Sequence, residues 1–257
     1  MLYPSTPRIG LVIGTYAAVP HVHLQLESWK RHCNNVPCLV IDDMSPDAER
    51  LESLCSEYSA AFECNPRRMG HTAGDMNVFI RGAEWGRING LDMVVKFSRR
   101  WIPLLDWQSD ISQRAVDSQG PTFSARCLHH GFGFRSECVG MHVDTWCNPK
   151  VVGPILKKIS EGHSDLVERD VHSCAGIAWE MHSEMTRSYD ELNPPKPGCG
   201  SYVEWPFMGE SRVSPRHNIL WHEWARAHEY HRALFQWGVG RYRLQDFVDP
   251  QANIRNV

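Results

Sequence analysis

The segment Cys38–Asp47, with the sequence CLVIDDMSPD, decides the fold class of this chain. The apolar run Cys38–Ile41 ends in two adjacent aspartates, and a helix-start pattern follows, with Ser45 as the predicted N-cap. Asp42 and Asp43 therefore come at the carboxyl end of a predicted strand, which is where open α/β sheets bind their ligands. We expect Asp43 to shape the turn and Asp42 to point into the ligand crevice.

Strands and helices alternate on both sides of this segment. The other predicted strands are Ile9–Gly14, Ala61–Cys64 and Leu91–Phe97. Helical spacing of apolar residues begins after Pro20, after Asp47 and at Thr72. This β-α-β-α-β-α-β order predicts an α/β fold with a mixed, mainly parallel sheet that is flanked by helices.

Composition excludes several classes of protein. The 257 residues carry a formal net charge of −3, whereas a nucleic-acid-binding domain is usually strongly basic. We therefore expect no nucleic-acid partner. Because the sequence contains no apolar run of about 18–20 residues, we expect no transmembrane segment. The nine cysteines include no CxxC pair, which indicates reduced thiols and, with the short proline-containing N-terminus, predicts a cytoplasmic protein.

Three nucleotide and hydrolase motifs are absent from the sequence. The first strand is not followed by G-x-G-x-x-G, and the chain contains neither G-x-x-x-x-G-K-[ST] nor G-x-S-x-G. These absences exclude a dinucleotide-binding Rossmann fold, a P-loop NTPase and an α/β-hydrolase of the usual kind. A nucleotide bound here is therefore not held by a glycine cradle.

The order of the remaining motifs resembles the front half of the GT-A glycosyltransferases, nearest to the family-2-like group. The first strand ends in Thr15-Tyr16, and the second ends in Asp-Asp-x-Ser-x-Asp. A loop then runs from Asn65 to Gly70, and G-x-D-x-V begins at Gly90. The resemblance covers residues 9–103. It implies a nucleotide-sugar donor across the carboxyl ends of the strands and a glycan or other hydroxyl acceptor.

The same resemblance implies roles for individual side chains. Thr15 and Tyr16 would flank the nucleotide base, and Asp42 would accept a hydrogen bond from the base imide. The loop residues Arg67 and Arg68 would lie near the nucleotide. The alternative for each arginine is a solvated loop charge.

The fourth strand departs from the family pattern. GT-A enzymes hold Mg²⁺ or Mn²⁺ with a D-x-D motif at this position, but here the sequence reads Ser98-Arg99-Arg100. Hard cations need oxygen ligands, whereas guanidinium groups bind phosphate oxygens directly. We expect a donor site with no obligatory divalent metal or other cofactor, in which Arg99 or, preferably, Arg100 neutralises the leaving diphosphate. The alternative is a non-catalytic nucleotide-sugar-binding or scaffolding protein of the same fold.

Acceptor and base residues are expected further along the chain. His129, His130 and Glu137 are candidates for the acceptor side, although buried structural histidines are common. Glu168 and Asp170 loosely resemble the acidic pair of inverting family-2 enzymes and are candidates for the general base. Acids at a helix start also occur because they suit its dipole.

A cluster of prolines divides the predicted domain from its C-terminal part. The breaker-rich segment Asn193–Gly198 (NPPKPG) separates a domain of residues 1–192 from a C-terminal extension, residues 193–257, which is too short to be independent. Helical spacing from His217 to Trp237 predicts a terminal helix. The histidines in it lack H-E-x-x-H spacing, so no metal ligands are expected.

Overall fold

The structure is a computed structural model that describes residues 7–98, 101–103, 108, 122–124, 138–160, 219–221, 241–242 and 246. Its elements, in chain order, are β1 (Ile9–Thr15), α1 (Val19–His32), β2 (Cys38–Asp42), α2 (Ala48–Tyr58), β3 (Ala61–Cys64), α3 (His71–Ile88), β4 (Met93–Ser98), β5 (Trp101–Pro103), β6 (Thr122–Ser124), β7 (Cys138–His142), α4 (Val143–Trp146), α5 (Pro149–Ser160) and β8 (Ile219–Trp221).

Six of the eight described strands form a mixed sheet in the order β3-β2-β1-β4-β7-β6, and β5 and β8 form a separate pair. Strands β1 to β4 are parallel to one another, whereas β7 is antiparallel to both β4 and β6. Because β1, β2 and β3 are each followed by a helix that packs on the sheet, α1 and α2 on one surface and α3 on the other, both surfaces of the sheet are covered. The predicted α/β class, with a mainly parallel sheet flanked by helices, is confirmed.

Alternate residues of β1, β2 and β4 enter two separate cores. Leu11 and Ile13 of β1 pack with α1 and α2, and we call this side the α1/α2 face. Val12 packs with α3, on the side that we call the α3 face. Since both faces of the inner strands β1 and β2 are buried, these two strands have continuous apolar sequences rather than alternating ones.

Helix α3 packs closely on the sheet because glycines occur where the two touch. A β-carbon added at Gly14 would lie 2.8 Å from Val78, and one added at Gly82 would lie 3.1 Å from Val12. These two contacts also fix the direction of the helix. Later residues of α3 lie beside earlier residues of β1, so the N-terminus of α3 points toward the carboxyl ends of the strands.

The C-terminal part of the chain contributes a strand that the sequence did not predict. Residues Ile219–Trp221 form β8, which pairs antiparallel with β5. The expected helix from His217 to Trp237 is therefore wrong at residues 219–221, because strand pairing prevails over helical spacing there. The other residues of that range lie outside the described part, and the domain boundary at 192/193 stays a prediction. None of the described helices combines the length and apolarity that a bilayer span requires.

Candidate functional site

The sheet has a topological switch point between β1 and β4. From β1 the chain moves outward to β2 and β3, and it then returns to place β4 on the other side of β1. Gly14 and Ser98 are register partners, so the ends of β1 and β4 lie side by side. In open α/β sheets the crevice at such a point is the usual ligand site. We call the residues around it the strand-end site.

Asp42 is completely buried and bonded within its own turn, so its carboxylate is not open to the crevice in the way expected from the sequence. Its side chain is completely buried on the α1/α2 face. The carboxylate accepts hydrogen bonds from the Ser45 amide (2.7 Å) and from the Ser45 hydroxyl. The hydroxyl of Ser45 also accepts from the Ala17 amide at 2.6 Å. Ser45 therefore stabilises the turn through these hydrogen bonds. It is not the N-cap of α2, because Asp47 occupies that position. Contact of Asp42 with a nucleotide base stays a prediction.

The thiol of Cys64 also lies near this buried carboxylate. Its sulfur is 3.7 Å from Asp42 Oδ2. Desolvation and, next, the charge of Asp42 raise the pKa of the Cys64 thiol, so the thiol is the donor in this contact.

Asp43 shapes the next loop, as its position in the sequence predicts. Its carboxylate accepts from the Asn65 side-chain amide, the Met69 amide and the Gly70 amide, each at 2.9 Å. Asn77 of α3 in turn donates to the Asn65 side-chain oxygen at 2.9 Å. This network fixes residues 65–70, the loop that carries both predicted arginines, against the start of α3.

The fixed loop places one of those arginines on an aromatic ring. The guanidinium carbon of Arg68 lies 4.0 Å from the centre of the Tyr16 ring, in cation–π geometry. Arg68 is exposed and Tyr16 is half-buried. Arg67 is exposed in the same loop. Tyr16, directly after β1, and Arg68 of the loop are 52 positions apart in the chain (68 − 16) and meet at the strand-end site.

Thr15 carries a buried hydroxyl that is not satisfied within the described residues. Its side chain is 7% exposed, and its Oγ1 has no hydrogen-bond partner in the part of the chain that the structure describes. A buried hydroxyl without a partner costs free energy, so such a group is a candidate contact for a ligand. Thr15 pairs in register with Asp42 and lies on the same face of the sheet.

The end of β4 contains a charged residue that the sequence analysis missed. Lys96 is completely buried, and its ammonium group forms an ion pair with Asp75 of α3. Ser98 follows two residues later and is half-buried; its carbonyl oxygen accepts from the Gln25 side chain at 2.7 Å. The signal for Lys96 was present in the sequence, since a lysine interrupts the apolar run of β4, MVVKFS.

Several predicted site residues lie outside the described residues. They share an expected position on the diphosphate, acceptor or base side of the site, and they are Arg99, Arg100, His129, His130, Glu137, Glu168 and Asp170. Their roles stay predictions.

The described residues of β4, Met93–Ser98, include no carboxylate. Ser98 and the ammonium group of Lys96 occupy the α3 side of this strand end, and the two following residues are arginines. Hard cations require several oxygen ligands, preferably carboxylates. Within the described ranges, His, Cys, Asp and Glu side chains do not gather in groups of three or more that could hold a metal.

Comparisons with known proteins give matches only among solved structures. No protein-family model and no curated protein sequence matches the chain. The chain is similar to the apo-form glycosyltransferase GlyE of Streptococcus pneumoniae TIGR4 at 15% identity and a TM-score of 0.47, covering 69% of this chain and 44% of GlyE. It is also similar to the mannosyltransferase PcManGT of Pyrobaculum calidifontis, solved with GDP-Man and Mn²⁺, at 14% identity and a TM-score of 0.42, covering 58% of this chain and 47% of PcManGT. This chain spans less than half of each of these proteins.

Proposed function

We propose that this chain is a glycosyltransferase that moves a sugar from a nucleotide-sugar donor to a glycan or another hydroxyl acceptor. The observation that carries the proposal is the arrangement at the switch point. Tyr16 and Arg68 meet at the end of β1, and Ser98, followed in sequence by two arginines, ends the neighbouring β4. One nucleotide can reach both places, because neighbouring strands are about 4.8 Å apart.

The proposed donor site divides between these two strand ends. Tyr16 and Arg68 offer flat surfaces on which a planar base stacks, and the Thr15 hydroxyl lies beside them in sequence. At the end of β4, Arg99 or Arg100 would bind the diphosphate with two parallel hydrogen bonds. The proposal assigns no part of the binding to a metal ion.

The proposed reaction is a displacement at the anomeric carbon of the donor. The acceptor hydroxyl oxygen forms a bond to that carbon while the bond from the carbon to the diphosphate oxygen breaks. The diphosphate leaves with the bonding electron pair, and an arginine stabilises its charge. Glu168 or Asp170 takes the proton of the acceptor hydroxyl. His129, His130 and Glu137 would contact the acceptor.

The first experiment tests nucleotide binding and transfer together. Thermal unfolding is measured with UDP, GDP, CDP and dTDP, and a ligand at 100 times its Kd should stabilise the fold by about 2.7 kcal/mol. Sugar transfer is then measured in EDTA and in Mn²⁺. Transfer that persists in EDTA supports the proposal, whereas binding without transfer supports the non-catalytic alternative. If none of the nucleotides binds, the proposal fails.

The arginines after Ser98 are tested by substitution. Arg100→Ala should lower turnover about a hundredfold or more, since it removes the charge that stabilises the leaving diphosphate. Arg100→Lys should restore little, because an ammonium group does not reproduce the planar two-bond contact. Full activity in both Arg99→Ala and Arg100→Ala would contradict the assigned role.

A further inference from the structure

The ion pair between Lys96 and Asp75 is unevenly buried. The Lys96 side chain is 0% exposed, whereas that of Asp75 is 20% exposed. The ammonium nitrogen of Lys96 also lies 5.0 Å from the centre of the Phe79 ring, on the α3 face. Asp75 bonds Lys96 through Oδ1, and Oδ2 makes no hydrogen bond to any residue that the structure describes. One carboxylate oxygen is therefore left for another partner.

Helix geometry places Asp75 level with the strand ends. Val78 of α3 touches Gly14, and the helix runs toward the carboxyl ends of the strands as the residue number falls. Asp75 comes three residues before Val78, which at 1.5 Å per residue moves it about 4.5 Å further along. That distance exceeds the rise of about 3.3 Å that separates Gly14 from Thr15. Asp75 thus belongs to the rim of the crevice between β1 and β4.

Stability alone does not account for such a pair. A buried ion pair costs so much desolvation that apolar residues of similar size are often equally stable or more stable. Here the lysine is inaccessible and only the carboxylate reaches solvent. The arrangement neutralises a carboxylate at the rim of a site that is proposed to bind an anionic diphosphate. A neutralised carboxylate can accept hydrogen bonds there without strongly repelling the ligand.

We infer that Asp75 is a ligand-binding residue whose Oδ2 accepts hydrogen bonds from adjacent hydroxyl groups of the nucleotide-sugar, while buried Lys96 holds it in position. The inference rests on the proposed function and specifies the ligand chemistry at one part of that site. An ionised carboxylate accepts hydrogen bonds and donates none, so it pairs with donor groups, and the hydroxyls are the donors that the ribose and the sugar of a nucleotide-sugar share. The hydroxyl pair belongs either to the ribose or to the transferred sugar, and the test separates the two sources.

The test compares three ligands that differ in their hydroxyl groups. The probes are UDP, 2′-deoxy-UDP and UDP-glucose, with GDP, 2′-deoxy-GDP and GDP-mannose as a parallel series, each titrated by calorimetry. Asp75→Asn alone leaves the buried Lys96 without its charged partner, so the double variant Asp75→Asn with Lys96→Met is measured beside it. Glu84→Gln is the matched control, because Glu84 lies on the same helix with its side chain 49% exposed.

The double variant should bind the hydroxyl-bearing ligand about 10- to 100-fold more weakly, the loss expected for a hydrogen bond to a charged group. With ribose as the source, the variant loses affinity for UDP or GDP but not for the 2′-deoxy analogue. With the transferred sugar as the source, only nucleotide-sugar affinity falls. Glu84→Gln should bind all three ligands normally.

Two results would overturn the inference, and they are distinguishable. A folded double variant that binds all three ligands with wild-type affinity shows that Asp75 does not contact the ligand, while the proposed function stands. A wild-type protein that binds no nucleotide of either series overturns the proposed function and this inference with it.

Discussion

Two polar clusters on opposite faces of the sheet use their hydrogen-bonding groups in different ways. On the α1/α2 face, both ring nitrogens of His23 are bonded, Nδ1 to the Tyr242 hydroxyl and Nε2 to the Tyr58 hydroxyl, each at 2.9 Å. On the α3 face, Asp75 keeps an oxygen that no described residue binds. A polar cluster whose groups bond one another holds chain segments together, whereas an open one is available to a ligand.

The His23 cluster also determines which ring nitrogen carries the proton. The Tyr58 hydroxyl donates its hydrogen to Glu27 Oε2 at 2.6 Å, so it accepts from His23 Nε2. Nδ1 of His23 is then the acceptor for the Tyr242 hydroxyl and for Arg241 Nε, which lies 3.2 Å away. The neutral ring thus joins α1, α2 and a C-terminal residue 219 positions away.

The largest expected effect concerns the uneven burial of the Lys96–Asp75 pair. Asp75→Leu should lower the free energy of unfolding by about 3–5 kcal/mol, since it removes the charged partner Asp75 from a completely buried ammonium group. Lys96→Met should cost less, because solvent reaches the remaining carboxylate. Urea unfolding measures both, and the double variant Asp75→Leu with Lys96→Met should recover most of the loss. Equal costs for the two single variants would contradict this interpretation.

A smaller effect should separate the adjacent aspartates. Asp42→Ala removes the partner of the Ser45 amide and hydroxyl, and Asp43→Ala frees the 65–70 loop; each should cost about 2–3 kcal/mol of stability. Only Asp43→Ala also releases the loop that positions Arg68, so it should weaken nucleotide binding further. Calorimetric titration of the two folded variants gives the comparison. A loss of affinity confined to Asp42→Ala would instead restore the role first expected for Asp42.

The closed cluster should make stability depend on pH. Burial and, next, the charge of Arg241 lower the pKa of His23 to about 4 in the folded protein, while Glu27 and Glu57 act in the opposite direction. Between pH 6.5 and about 4 the unfolded chain therefore binds the extra proton. Stability should be fully present above pH 6.5 and fall by about 1–2 kcal/mol as the pH drops toward 4, after allowance for screening near exposed Arg241.

Unfolding at several pH values, compared with His23→Gln, checks this prediction. Glutamine keeps a donor and an acceptor but does not titrate, so its curve should lack the decline that His23 causes. Parallel curves for the two proteins would assign the decline to other groups.

The smallest expected effect concerns Arg68. Arg68→Ala removes an exposed cation–π contact, which is worth about 0.5–1 kcal/mol, so the unfolding midpoint should hardly change. If the base stacks at Tyr16, the substitution should reduce the free energy of nucleotide binding by more than it reduces the free energy of unfolding. Arg67→Ala is the matched control from the same loop. Equal effects of the two substitutions on affinity would remove the special role of Arg68.

The order of β1 to β4 along the chain could be predicted, because the apolar runs and the turn residues between them indicate the same strand boundaries. Apolar runs end in glycine, proline and acidic turns, and these mark each strand without reference to distant residues. The orientation of Asp42 could not be predicted in the same way. The run Cys38–Ile41 is apolar at every position and buried on both faces, so it gives no indication of which side residue 42 faces.

The contacts that the sequence analysis missed join residues far apart in the chain. Lys96 meets Asp75 across 21 positions, and β8 pairs with β5 in spite of helical spacing in its sequence. Both depend on tertiary packing, which local propensity does not determine. A lysine in an apolar strand indicates only that some partner exists, because a buried charge needs one.

The close packing of α3 on the sheet at glycines also limits which substitutions this protein can accept. At Gly14 and Gly86 even the methyl group of alanine would lie within 2.8 Å and 2.7 Å of valine side chains, so neither position has room to vary. The side chains of Arg67 and Arg68 are exposed and that of Asp75 is partly exposed, so these three side chains meet no such steric limit. Substitutions should therefore be tolerated more readily at these three side chains than at the glycines that set the spacing of helix and sheet.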